Sequence, residues 1–156
     1  MKIYFAGSIR AGRDYQELYH QLIMGLQRYG QVLTEHVGSP DLTQWGDDGP
    51  SDRAIYDRDM AWLAEADLIV AEVTTPSLGV GYELGRAESL SKPVLCLYRD
   101  NDGRRLSAML SGNPRMVISR YSTVPEALVQ IEKFLGDNSA LYGQESADTT
   151  PRDRDR

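Results

Sequence analysis

The chain has 156 residues, 41% hydrophobic and 26% charged, with a formal net charge of −6. That length supports one domain with its own core, and the acidic balance argues against a nucleic-acid polymer as partner, because such partners favour a basic stripe. No apolar stretch approaches the ~20 residues that cross a bilayer, no signal segment opens the chain, and the single cysteine, Cys96, cannot close an internal disulfide; a cytosolic protein with no membrane partner is the expectation.

Taken in order, residues 2–6 read as a first strand, followed by the loop Gly7-Ser8-Ile9-Arg10-Ala11-Gly12. Tyr15, Leu18, Leu22, Leu26 and Tyr29 then recur at spacings of three and four, an amphipathic helix ending at Gly30. Residues 31–35 read as a second strand, and 37–50 as a loop rich in Gly, Asp, Ser and Pro. Helical periodicity returns over 52–66, where Ile55, Asp59, Trp62, Leu63 and Ala66 share a face. Leu68-Ile69-Val70-Ala71 is a strand buried on both sides, a Thr-Thr-Pro-Ser break follows, and a helix is expected over 82–89. Residues 93–98 and 116–119 are strands four and five, 106–110 a short helical piece, and 124–135 the closing helix. Strands alternating with helices predict an α/β fold, a flavodoxin-like or Rossmann-like three-layer sandwich with a five-stranded parallel sheet of order 2-1-3-4-5. The domain is expected to span 1–136, with 137–156 a polar, disordered tail.

In such sheets ligands sit at the carboxyl ends of the strands, near the switch between strands 1 and 3. The loops that meet there are 7–12 and 74–81. In the first, Gly7 and Gly12 permit unusual backbone angles while Ser8 and Arg10 offer a hydroxyl and a planar cation, a set that suits a phosphate and equally an ordinary strand–helix turn. It is neither G-x-x-x-x-G-K-[ST] nor G-x-G-x-x-G, which argues against a nucleoside triphosphatase and against a dinucleotide site using Glu35. Asp59 lies on the sheet-facing stripe of its helix, so it either enters a polar cavity, where desolvation raises its proton affinity, or pairs with Arg53 or Arg58. Glu83 falls near a helix start, where the macrodipole favours the ionised form. An ionised Glu and a desolvated Asp are the pair that a glycosidic bond requires. Tyr4, at the end of strand 1, is placed to aim Glu83. His36 stands at a strand end close to the cleft, His20 on the surface of the first helix, and no metal-ligand spacing joins them. Arg104-Arg105-Leu106-Ser107-Ala108-Met109 is basic, then small and polar, either a phosphate cap or a solvated helix start.

Together these motifs closely resemble the 2'-deoxynucleoside 5'-phosphate N-hydrolases, relatives of the nucleoside 2-deoxyribosyltransferases. The likeness rests on Tyr4-Phe5-Ala6-Gly7-Ser8-Ile9-Arg10, Leu33-Thr34-Glu35-His36-Val37, Asp59-Met60-Ala61-Trp62-Leu63, the stretch from Ala71 to Arg86, and Leu106-Ser107-Ala108-Met109. It implies a Glu83 nucleophile that takes the deoxyribosyl 5-phosphate covalently, Asp59 as the acid at the base, and Tyr4 orienting Glu83. Gly7, Ser8, Ile9, Arg10, Ser77 and Gly79 would hold the sugar phosphate. It also implies a homodimer in which Ser107 and Met109 enter the neighbouring subunit's site, a small-molecule nucleotide substrate, and neither metal nor organic cofactor. Base exchange between nucleosides, cleavage of a CMP-type ribonucleotide and a catalytically silent nucleotide-binding module stay open. The Arg-Arg-Leu-Ser-Ala-Met stretch favours a monophosphate over a free 5'-hydroxyl, and Tyr4 leans toward the deoxy sugar.

Overall fold

The computed structural model describes residues 1–9, 13–38, 50–100 and 105–139. Five parallel strands form one sheet of order β2-β1-β3-β4-β5: β1 (Lys2–Gly7), β2 (Gln31–Val32), β3 (Leu68–Glu72), β4 (Val94–Arg99) and β5 (Met116–Tyr121). Five helices connect and cover them: α1 (Arg13–Gln27), α2 (Asp52–Glu65), α3 (Leu78–Ser89), α4 (Ala108–Ser111) and α5 (Val124–Asn138). The expected strand order is the observed one. β1 and β3 are in register from Ile3↔Leu68 to Gly7↔Glu72, which brings the ends of these two strands side by side.

Alternation along the strands sorts the core into two layers. Ile3, Phe5, Leu68, Val70, Leu95 and Leu97 face α1 and α5, meeting Leu18, Leu22, Leu26, Ile131 and Phe134. Tyr4, Ala6, Ile69, Ala71, Cys96 and Tyr98 face the other way, meeting Leu63, Val80, Leu84 and Ala87 of α2 and α3. Every residue of β3 is buried, the pattern of a central strand covered on both faces. α5 begins with a reciprocal cap in which Thr123 accepts from the Glu126 N–H and Glu126 reaches back.

The structure corrects several boundaries. β2 has only two residues, and Glu35–Gly38 forms a 3-10 turn. Thr34 is the reason: its hydroxyl accepts from the Phe5 N–H at 2.8 Å and donates to the Phe5 carbonyl at 2.7 Å, so a side chain does the work of a third ladder residue. α3 starts at Leu78, four residues ahead of the expected start, because Ser77 caps it by accepting from the Val80 N–H. β5 extends to Tyr121, and α5 runs to Asn138, two residues past the expected domain end. The remainder of the expected tail, from 140 on, lies outside the described residues. No described helix is long and apolar enough to cross a membrane.

Candidate active site

On the sheet face covered by α2 and α3 the structure joins two of the residues singled out in the sequence, although Tyr4 lies midway along β1, beside Ile69, and not at the strand end as expected. The Tyr4 hydroxyl donates to Glu83 Oε1 at 2.8 Å. Tyr4 reaches it from inside the sheet, with its side chain fully buried, while Glu83 hangs half-buried from the second turn of α3. Burial pushes the Glu83 carboxyl up to about 7; the Tyr4 bond works against that rise and the charge of Asp59 adds to it. This reverses the expectation of a Glu83 ionised by its helix. The early start of α3 places Glu83 beyond the first turn, where the macrodipole has faded, and desolvation dominates. Burial and the charge of Glu83 push the Tyr4 phenol far above its ordinary range, so it stays a donor.

Asp59 is half-buried on α2, and its charge acts on both Tyr4 and Glu83. It accepts from Arg58 Nε at 2.9 Å, one of the two ion-pair alternatives read from the sequence. Arg58 itself was not singled out as a site residue. Its guanidinium lies 4.9 Å from the centroid of the Trp62 ring, one helical turn on, and its Nη2 lies 3.3 Å from His36 Nε2. His36 and Trp62 face each other at 5.7 Å. An Arg and an aromatic four residues apart on one helix face is the signal that could have found this wall. His36 therefore does approach the Asp59 end of the cleft.

The loops that would grip an anion are built differently from one another. Gly7 has an ordinary backbone angle; glycine is required because a Cβ there would stand 2.9 Å from the Tyr19 ring. This replaces the expectation of an unusual conformation at that position. The Tyr19 hydroxyl accepts from the Ser8 N–H at 3.1 Å and faces the Ser8 carbonyl at 3.4 Å, so the Ser8 amide is taken up inside the protein. Ser8 is buried, Ile9 is exposed, and Arg10 and Gly12 lie outside the described residues. At the second loop, Ser77 occupies the cap of α3 and accepts from the Val80 N–H, so the N–H groups of Leu78 and Gly79 are among those a helix start leaves without intrahelical partners. Space above Gly79 is open: a Cβ there would meet only Ser77 Oγ, at 3.8 Å.

Ser107 is the cap of α4 and accepts from the Met109 N–H at 3.3 Å; both residues are exposed beside β5, at the far edge of the sheet. His20 is exposed on α1, and burial pushes the Cys96 thiol up to about 12 in the core. Among the described residues no three His, Cys, Asp or Glu side chains converge as a metal site.

A family model described as nucleoside 2-deoxyribosyltransferase matches residues 3–133. The chain belongs to that family. A relative named 5-hydroxymethyl-dUMP N-hydrolase from Tetraodon nigroviridis is 58% identical over 113 residues, covering 72% of this chain and 80% of the relative. The mouse protein of the same name is 57% identical over 111 residues, 70% of this chain and 64% of the mouse protein. Among solved structures, the CMP N-glycosidase of Clostridium botulinum superposes with a TM-score of 0.61 at 17% identity, over 85% of this chain and 99% of that one. At that identity the likeness is one of fold, and it matches the deoxyribosyltransferase-family sheet described above.

Proposed function

We propose that this chain hydrolyses the N-glycosidic bond of 2'-deoxynucleoside 5'-monophosphates, giving free base and 2-deoxyribose 5-phosphate. The observation that carries this reading is the Tyr4–Glu83 hydrogen bond of 2.8 Å beside a second carboxylate, Asp59, whose charge acts on both groups. Two acids in unlike surroundings at one cleft suit displacement at an anomeric carbon. The 57–58% identity to relatives named 5-hydroxymethyl-dUMP N-hydrolase supports the substrate class.

In this mechanism ionised Glu83 attacks C1', the bond from C1' to the base nitrogen breaks, and Asp59, which must enter this step protonated and so released from its Arg58 pair, passes its proton to the departing base. Water then attacks C1' of the glycosyl–Glu83 ester, Asp59 takes the water proton, and Glu83 leaves as carboxylate. Tyr4 holds Glu83 by one oxygen, so the other is aimed at the sugar. His36 and Trp62 border the base. The N–H groups at the start of α3, Leu78 and Gly79, with Ser77, receive the phosphate, and Gly7, Ser8, Ile9 and Arg10 are its further binding residues in this reading. Ser107 and Met109 complete the site of a second subunit, a reading supported by the outward apolar surface of Met109 (81% exposed), Leu78 (97%) and Tyr82 (55%).

The test is chromatography of base released from a panel of deoxy- and ribonucleoside monophosphates, 5-hydroxymethyl-dUMP first among them. Release from the deoxy compounds by the wild-type chain, and none by Glu83→Gln, is expected. Product that forms only when a second free base is supplied would replace hydrolysis by base exchange.

A further inference from the structure

A second buried acid sits behind the proposed phosphate loops, and the mechanism above does not use it. Glu72 ends β3 on the face opposite Tyr4 and Glu83, its side chain fully buried among the residues that meet α1 and α5. One oxygen, Oε1, takes three donors: the Thr74 hydroxyl, the Thr74 N–H at 3.3 Å and the Tyr121 hydroxyl at 3.0 Å. The other, Oε2, has no hydrogen-bond partner among the described residues. Thr74 in turn accepts from the Arg99 N–H at 2.7 Å, which fastens the start of the β3–α3 loop to the end of β4. Across the strand pair, Glu72 is in register with Gly7. Gly7 packs on the ring of Tyr19, and the hydroxyl of Tyr19 holds the Ser8 backbone.

One carboxyl thus stands where both loops leave the sheet, joined directly to one and lying under the other. We propose that Glu72 is a positioning residue for phosphate binding: held by Thr74 and Tyr121, it sets the two loops and does so as an uncharged acid. The inference rests on the monophosphate reading of the site. The bare oxygen favours the uncharged form, because Oε2 is buried with no partner among the described residues and forfeits its hydration, while the three donors at Oε1 work the other way. The surroundings agree. Burial pushes Glu72 above the usual carboxylate range, while the bonds from Thr74 and Tyr121 and the charge of Arg99 hold that rise back. Among the described residues, Tyr19 from α1 and Tyr121 from β5 are the other titratable groups facing it, and burial holds both phenols above their ordinary range. A negative charge at this point would oppose a dianion bound on the far side of the loops. Affinity for phosphate should therefore weaken as Glu72 loses its proton.

The experiment compares wild type, Glu72→Gln and Glu72→Ala by calorimetric titration with 2-deoxyribose 5-phosphate at pH 6.5 and 8.5, alongside base release from a deoxynucleoside monophosphate. Gln keeps the shape and carries no charge, so its Kd should stay within about threefold of wild type at pH 6.5 and change less between the two pH values. Ala strips the acceptor from three buried donors; its Kd and KM should rise about tenfold, with kcat changed far less. The inference is overturned if Gln is as damaging as Ala, if all three proteins bind alike, if Ala lowers kcat and leaves KM alone, or if wild type does not bind the sugar phosphate. Should Ala fail to fold, Tyr121→Phe and Thr74→Val, which remove donors to Oε1, take its place, and an unchanged KM in both overturns the inference. A wild-type chain that binds the sugar phosphate yet releases no base would sink the hydrolase reading and leave this one standing.

Discussion

Two Glu–Tyr pairs flank the same sheet edge, one on each face, and their difference separates chemistry from support. Tyr4–Glu83 spans a strand and a helix at 2.8 Å, with Glu83 half-buried and a second carboxylate acting on it. Tyr121–Glu72 lies within the sheet at 3.0 Å, sealed, with Thr74 as its other partner. Burial raises both acids. For Glu83 the rise leaves a group that gives up its proton near neutrality and has an open side for a substrate. For Glu72 there is no open side, and what the carboxyl can do is hold backbone. A raised proton affinity alone therefore does not identify a catalytic acid; access does.

The comparison can be broken most forcefully at the acids themselves. If Glu83 is the nucleophile proposed above, Glu83→Gln should lower kcat by about a thousandfold or more, whereas Glu72→Gln should stay within a few-fold; equal losses in base release would erase the distinction. Next come the tyrosines. Tyr4→Phe removes a hydrogen bond to a charged group, worth about 1.5–3 kcal/mol or roughly 10–100-fold in rate. Because the Tyr4 bond lowers the Glu83 pKa, its loss should also move the acid limb of the kcat/KM profile to higher pH. Tyr121→Phe should leave that limb in place and raise the KM for monophosphate instead. In the wild type, kcat/KM should climb as pH rises through about 7, where Glu83 ionises.

Stability sharpens the contrast further. Glu83 has a folded pKa of about 7 against 4.5 for the free side chain, so its contribution is present below 4.5 and is lost as pH rises through 7. Glu83→Gln should thus be more stable than wild type at pH 8, by on the order of 2–3 kcal/mol, and close to it at pH 4.5. Thermal melts at the two pH values check this, and a variant no more stable at pH 8 would show that Glu83 is better solvated than its burial indicates. The smallest effect expected is at Gly7→Ala, where a Cβ 2.9 Å from the Tyr19 ring should cost about 1–3 kcal/mol of stability, read from urea midpoints.

Much of this was legible in the residues. Apolar runs such as Leu68–Ala71, bounded by polar breaks, marked the strands, their alternation with helices implied a parallel sheet, and the order came from likeness to flavodoxin-like folds; Asp59 and Glu83 stood out by their places on helices. What escaped has physical causes. The start of α3 was hidden because Gly79 and Gly81 read as loop, although Ser77 supplied a cap. β2 looked longer because Thr34 is a good strand residue, and only coordinates show its hydroxyl replacing the ladder. The proton affinity of Glu83 depends on how deep its carboxyl sits and on the charge of Asp59 nearby, and neither is encoded in spacing. Glu72 lies inside the Ala71–Arg86 stretch with no signal of its own, since a strand-end acid is ordinarily solvated.

Cys96, described above as a core residue with its thiol pushed up to about 12, makes the molecule convenient to label. At neutral pH it presents almost no thiolate and no exposed sulfur to maleimides or oxidants. A cysteine introduced at an outward position such as Met109 would then be the single reactive handle on each chain. Cross-linking or a fluorophore placed there would test whether a second copy approaches this surface, without any prior removal of native sulfur.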